Sequence, residues 1–384
     1  MERVASRVAT SATPIRLVFT MSDEAPETTG ADQRQRAEAA GPPELPRFFM
    51  PFPQVKPNPG QQAAVAPLWE WIDTFGLFTS ESSRSPLEQL RIDLISARYH
   101  PYAAPESMPL LTQFMAWAWS VDEQFDDGPA GRDAPWCRRS VQGILDAFDG
   151  RPCDQPLEAA AADLWPRLSE GRSRRWRANF LSWATGWLWT YYTETLDRAT
   201  SRYQSPAEYR LHRELSSAEH LFFLLSEAAA GIDLPESVHR LPALRGMRSA
   251  SAQHQGLFND VISLNKERPV GYVHNAVALT AHHERVGVGE ACERVNALLT
   301  ECIEQFVTAE RQLPAQPAAA GIDDDLAGQG LAMARAYRAH TRGNFDWHFE
   351  VTRYAGPGEV RDGRALYVAD LLNHRAPGRS SGNR

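Results

Sequence analysis

With 384 residues, 43% of them hydrophobic, the chain can bury one large core or two small ones. Its 40 basic and 48 acidic side chains leave a net charge of −8, which argues against a basic, non-specific nucleic-acid binder but not against an anionic ligand held by clustered cations or metal ions. Four scattered cysteines, Cys137, Cys153, Cys292 and Cys302, form no CxxC pair, so neither a zinc site nor a disulfide framework is indicated and a reduced, cytoplasmic setting is expected.

Residues 1–44 are polar, Ala-rich and punctuated by Pro and Gly, the composition of a disordered leader. Arg3, Arg7 and Arg16 lie near the start, but no continuous apolar region follows them as in a signal peptide, and Met21 offers an alternative start. Residues 45–375 are expected to form one domain, with a disordered tail over 376–384. Pro46, Pro51, Pro53, Pro57 and Pro59 alternate with Phe48, Phe49 and Phe52, which predicts an extended strap lying on the body.

From Ala64 onward the period is helical. Apolar residues recur every three or four positions over 86–98, 108–127, 138–148, 157–168, 175–197, 206–230, 243–266, 272–282, 286–313, 326–342 and 344–353. Ser85-Pro86 and Ser205-Pro206 read as a capping Ser before a Pro at the first helical position. Asp323-Asp324-Asp325 reads as an acidic helix start. Strand-like alternation is scarce, and no apolar run reaches the ~18 residues of a membrane span. The expected fold is all-α: a single large antiparallel helical bundle.

Two polar constellations stand out. The first closes a very apolar helix with Asp122, Glu123, Asp126 and Asp127. Asp122 and Asp126, four apart, share a face with Met115, Ala118 and Trp119. Carboxylates crowded at the mouth of an apolar wall repel one another and lose solvation, and a divalent cation would offset both costs. Taken alone, the segment reads equally well as a solvated acidic helix end. The second is stronger. Asn259, Ser263 and Glu267 stack at i, i+4 and i+8, presenting amide, hydroxyl and carboxylate oxygens on one helix face. Lys266 is adjacent and could pair with an anion, while Ala252, Gln255, Gly256 and Ile262 continue the stripe with mostly small or uncharged groups. Trp183, Trp187 and Trp189 read as ordinary core, and His282-His283 as a surface or capping pair.

The two constellations, in this order and separation, resemble the aspartate-rich motif and the Asn-Ser-Glu triad of bacterial class I terpene synthases. The first reads Asp122-Glu123-x-x-Asp126, with Glu in place of the family's second Asp; the second matches without departure. Trp347 followed by Arg353-Tyr354 resembles the family's closing motif, and Arg213 stands where the family carries a diphosphate-sensing arginine. Alone, each arginine would read as a surface ion-pair partner. The resemblance spans about residues 49–357. It implies that Ser216 and Ser217 hold the linker and effector positions of a kinked helix, where Gly is frequent at the second.

It further implies a magnesium-dependent lyase. Three Mg2+ ions are expected, with Mn2+ as a substitute. Asp122, with Asp126 and supported by Glu123 and Asp127, would hold two, and Asn259, Ser263 and Glu267 the third. Arg213, Lys266, Arg353 and Tyr354 would donate to the diphosphate of an isoprenoid substrate. Trp119, Met115 and Trp347 would line the cation pocket, where aromatic faces attract positive charge. Farnesyl diphosphate, giving a sesquiterpene, is the leading substrate, and geranylgeranyl diphosphate the alternative. An isoprenyl diphosphate synthase would need a second Asp-rich motif, a class II cyclase would need Asp-x-Asp-Asp, and a non-catalytic scaffold would have no use for the triad and arginines. The family often pairs as homodimers; no nucleic-acid partner or membrane span is expected.

Overall fold

The computed structural model describes residues 45–79, 81–126, 128–153, 155–267, 273–351 and 371–372. The leader, the tail, Asp127, Arg353, Tyr354 and the side chain of Lys266 lie outside the described residues. Fifteen α-helices follow in chain order: α1 (Gln61–Phe75), α2 (Glu81–Gln89), α3 (Ile92–Tyr99), α4 (Met108–Asp126), α5 (Ala134–Phe148), α6 (Pro156–Ser169), α7 (Arg174–Thr200), α8 (Pro206–Ser216), α9 (Glu219–Ala229), α10 (Glu236–His239), α11 (Pro242–Glu267), α12 (Ala276–Glu284), α13 (Val288–Gln312), α14 (Gln316–Ala319) and α15 (Asp324–Glu350). No strand occurs among the described residues, as expected from the scarcity of alternating patterns, and no helix among them is long and apolar enough to cross a membrane.

Local sequence accounts for most helix ends. Ser205 accepts from the Glu208 amide while Glu208 reaches back to the Ser205 amide, the reciprocal capping box. Asp323 accepts from the Leu326 amide at 2.9 Å and starts α15. Three boundaries differ from expectation. Ser85-Pro86 does not start a helix: α2 begins at Glu81 and carries Pro86 inside it, tolerable because so short a helix loses a single internal bond there. The expected helix over 86–98 breaks into α2 and α3, because Arg91 takes a left-handed conformation with φ 51°. The expected break at Gly343 is absent. A Cβ there would lie 2.5 Å from the Arg98 carbonyl oxygen, so the glycine lets α15 pack closely on α3 without ending.

The strap is present. Residues 45–58 are not helical, yet Phe52 is buried against Phe306 and Phe48 meets Phe258 edge-on, with ring centroids 4.9 Å apart. The buried core falls into three clusters: one on α1, α3 to α7 and α9, one on the first half of α11 with the end of α13 and α15, and one on the second half of α11 with α12 and the start of α13. Helix α11 packs on α8, α12, α13 and α15, and α15 packs on α3 as well. The functional cavity lies where these helices converge.

Candidate functional site

The cavity is walled by α3, α4, α7, the α8–α9 break, α11 and α15. Eight residues singled out in the sequence line it: Met115, Trp119 and Asp122 from α4, Arg213, Ser216 and Ser217 from the break, Asn259 from α11 and Trp347 from α15. Tertiary folding thus brings together side chains separated by more than two hundred positions. Asp126, Ser263 and Glu267 are not on its wall. They continue both motifs outward along their helices, one and two turns beyond Asp122 and Asn259. A larger cavity of about 550 Å³ beside Trp183, His220 and Arg248 contains none of the motif residues.

Arg213 links the two motifs. Its Nη2 donates to Asn259 Oδ1 at 3.1 Å, its Nε to Asp260 Oδ1 at 3.0 Å and its Nη1 to Ser216 Oγ at 3.3 Å. Gly256 makes room for it, since a Cβ there would lie 2.8 Å from Arg213 Cγ and 3.3 Å from its backbone oxygen. The Arg213 guanidinium also favours ionisation of Asp122 across the cavity, although burial and the charge of Glu123 dominate and raise the Asp122 carboxyl to about 6. Burial likewise raises Asp260 to about 6 against the pull of Arg213. Carboxylates held above their ordinary range by desolvation gain most from a bound cation.

Each acidic side chain has its own setting. Tyr191 Oη on α7 donates to Asp122 Oδ1 at 2.8 Å, and its ring stacks on Phe125 with centroids 4.7 Å apart. Burial first, then the charges of Asp122 and Asp126, push the Tyr191 phenol well above its ordinary value, so it stays a donor. Glu123 is buried and accepts from Trp119 Nε1 at 3.2 Å, which ties it to the pocket wall. Glu267 Oε2 accepts from Asn275 Nδ2 at 2.9 Å, and the same amide reaches the Asp260 carbonyl oxygen at 2.7 Å. Between Asn259 and Glu267, the buried Ser263 Oγ has no partner among the described residues.

That orphaned hydroxyl bears on magnesium. No three His, Cys, Asp or Glu side chains among the described residues converge as a metal cluster. The second motif, however, offers amide and hydroxyl oxygens as well as a carboxylate, and a buried hydroxyl without a partner midway along the ladder is a donor set with room for a hard cation. The residues fit the ion.

The helix containing Arg213 is broken rather than continuous over 206–230. Helix α8 ends at Ser216, Ala218 turns left-handed with φ 59°, and α9 starts at Glu219. A left-handed alanine costs roughly 1–2 kcal/mol, which glycine would avoid. The kink therefore forms without a glycine, one residue beyond the expected effector Ser217.

The aromatic wall does structural work too. Trp347 is 1% exposed, meets Trp119 edge-on at 5.6 Å and donates from Nε1 to the Leu90 carbonyl oxygen at 2.8 Å. Trp187, read from sequence as core, is buried and also lines the cavity, whereas Trp183 stacks on His220 elsewhere. Sequence reasoning missed Tyr191, Asp260, Asn275 and Glu219. Of these only Asp260 had a local signal, its place beside Asn259.

A model of terpene synthase family 2, C-terminal metal binding, matches residues 113–305 of the chain. The (2Z,6E)-hedycaryol synthase of Kitasatospora setae is 27% identical over 314 residues, covering 81% of this chain and 93% of that protein. Isoafricanol synthase of Streptomyces violaceusniger is 29% identical over 335 residues, covering 82% and 86%. Among solved structures, hedycaryol synthase in complex with nerolidol superposes with a TM-score of 0.71 at 25% identity, over 79% of this chain and 99% of that one.

Proposed function

Because this chain belongs to the bacterial class I terpene synthases, which cyclise isoprenoid diphosphates with release of diphosphate, we propose that it acts on farnesyl diphosphate and forms a sesquiterpene. The relatives include pristinol, isoafricanol, δ-cadinene and pentalenene synthases, and their shared chemistry supports the farnesyl chain. The observation that carries the reading is Arg213, bonded to the second motif and facing the first at an aromatic cavity. At about 110 Å³ the cavity is below the ~300 Å³ of typical small-molecule sites. Its side chains must part to admit any isoprenoid, and a geranylgeranyl chain demands more opening than a farnesyl chain.

In this reading Asp122 and Asp126 hold magnesium on one side of the mouth, and Asn259, Ser263 and Glu267 hold it on the other. Bound magnesium would supply the charge that makes diphosphate a good leaving group. Arg213 donates to the diphosphate oxygens, aided by Lys266, Arg353 and Tyr354. Asp260 and Ser216 keep Arg213 extended towards the mouth until substrate competes for its donors. Tyr191 holds Asp122 in position. Trp119, Trp347, Trp187 and Met115 exclude water from the apolar end, and the indole faces attract the allylic cation.

The test is incubation with geranyl, farnesyl or geranylgeranyl diphosphate and magnesium, followed by diphosphate assay and mass spectrometry of the organic extract. A cyclic fifteen-carbon product from farnesyl diphosphate, stopped by chelation, is expected. A cyclic product from geranylgeranyl diphosphate alone would overturn the substrate assignment.

A further inference from the structure

Helices α11 and α15 run alongside each other at the cavity. Ser251 Oγ lies 2.5 Å from Thr341 Oγ1, and two turns on Asn259 Nδ2 lies 3.2 Å from His348 Nε2. Between those rungs, at one level, stand Gln255 and Asn344, 2% and 5% exposed, both on the cavity wall. Neither Gln255 Oε1 nor Asn344 Oδ1 has a hydrogen-bond partner.

The orientation of both amides is fixed by the bonds behind them. Thr341 gives its hydroxyl proton to the Tyr337 carbonyl oxygen, so Ser251 donates to Thr341 and its oxygen is left to accept from Gln255 Nε2 at 3.1 Å. On the other side Tyr99 donates to Glu219 Oε1 at 3.0 Å, and its oxygen accepts from Asn344 Nδ2 at 2.6 Å. Each chain is polarised in one direction, and each leaves a carbonyl oxygen unused. Buried polar groups in native proteins are rarely left unpaired, so two adjacent acceptors in an aromatic cavity imply a ligand with two donors. An isoprenoid chain has no N–H or O–H, and diphosphate chiefly offers acceptors. Of the molecules this reaction can meet, water has the right complement.

We propose that Gln255 and Asn344 hold the water that ends the cation cascade, and that this enzyme is a terpene alcohol synthase. The proposal rests on the cyclase reading above. With both hydrogens engaged by amide oxygens, the water presents its lone pairs to the cation. The substrate C–O bond to diphosphate breaks, and a lone pair of the water forms the new C–O bond. The resulting oxonium gives one proton to the diphosphate released at ionisation. The sum is isoprenoid diphosphate plus water to terpene alcohol plus diphosphate, with no redox change.

The wild-type enzyme is incubated with farnesyl diphosphate and magnesium in oxygen-18 water. The main product is expected to be an alcohol carrying the label. Gln255→Leu and Asn344→Leu should each lower the alcohol fraction of total terpene about tenfold, because one of the two bonds that hold the water is lost. That fraction is independent of overall rate. Hydrocarbon as the main wild-type product, an alcohol without the label, or an unchanged alcohol fraction in both folded variants would each overturn the proposal while leaving the cyclase reading standing. If either variant does not fold, the labelling of the wild-type product still decides. Absence of diphosphate release from any isoprenoid diphosphate would overturn both readings.

Discussion

Replacing Glu219 with Gln is expected to reduce the fall of stability with rising pH. Glu219 is 4% exposed, its Oε1 accepts from Tyr99, and its Oε2 lies 2.7 Å from Nε2 of the fully buried His340. Burial raises its carboxyl from the ordinary 4.5 to about 8, against the lowering effect of the Tyr99 hydrogen bond. Between those values the folded chain holds a proton that the unfolded chain has released. The contribution of this group to stability is therefore fully present below about pH 4.5 and is lost as pH rises through about 8, at about 1.4 kcal/mol per pH unit. From about pH 5.5 to about pH 7.5 the wild type should lose roughly 2–3 kcal/mol through Glu219 alone. Gln keeps an oxygen for Tyr99 and offers an amide donor to His340. The buried His100 and His254, whose imidazoles are held below their ordinary value by burial, oppose the trend equally in both proteins. Urea unfolding of both proteins at the two pH values measures the double difference. The variant should gain roughly 2–3 kcal/mol on the wild type between them, and a gain under about 0.5 kcal/mol would refute the assignment of a protonated carboxyl at the cavity.

Gly256→Ala should push Arg213 from its place and lower kcat/KM for farnesyl diphosphate about ten- to a hundredfold, with the fold preserved by circular dichroism. Asn259→Ala and Glu267→Ala should each abolish turnover, as should chelation of divalent cations; full activity in either variant would remove those residues from the metal site. Tyr191→Phe removes the donor that favours the ionised form of Asp122 and should raise the magnesium concentration needed for half-maximal activity several-fold, read from a metal titration. Trp347→Ala should destabilise the protein by about 3–5 kcal/mol, because the indole is core as well as wall. Trp347→Phe is the variant in which a changed product mixture can be read, and an unchanged mixture would place the ring outside the pocket.

The sequence displayed the parts of this site that repeat at helical spacing. Asn259, Ser263 and Glu267 announce themselves because four residues are close to a helical turn, and Asp122 and Asp126 for the same reason. The helices were legible too, since each buries one apolar stripe. Their ends were less so. Arg91 turns left-handed without being a glycine, and Gly343 sits mid-helix because α3 passes close by, neither of which leaves a local trace.

What the sequence by itself determined is the all-α class, the two oxygen-rich motifs and the arginine between them in chain order. These follow from periodicity and residue chemistry, which are properties of a segment. Only the tertiary structure decided that Arg213 reaches Asn259 and Asp260, that Tyr191 anchors Asp122, and that Gln255 and Asn344 turn unpaired oxygens beside a tryptophan wall. Those are contacts between residues tens to hundreds of positions apart. They depend on how helices are rotated and packed, which no single stretch of chain specifies.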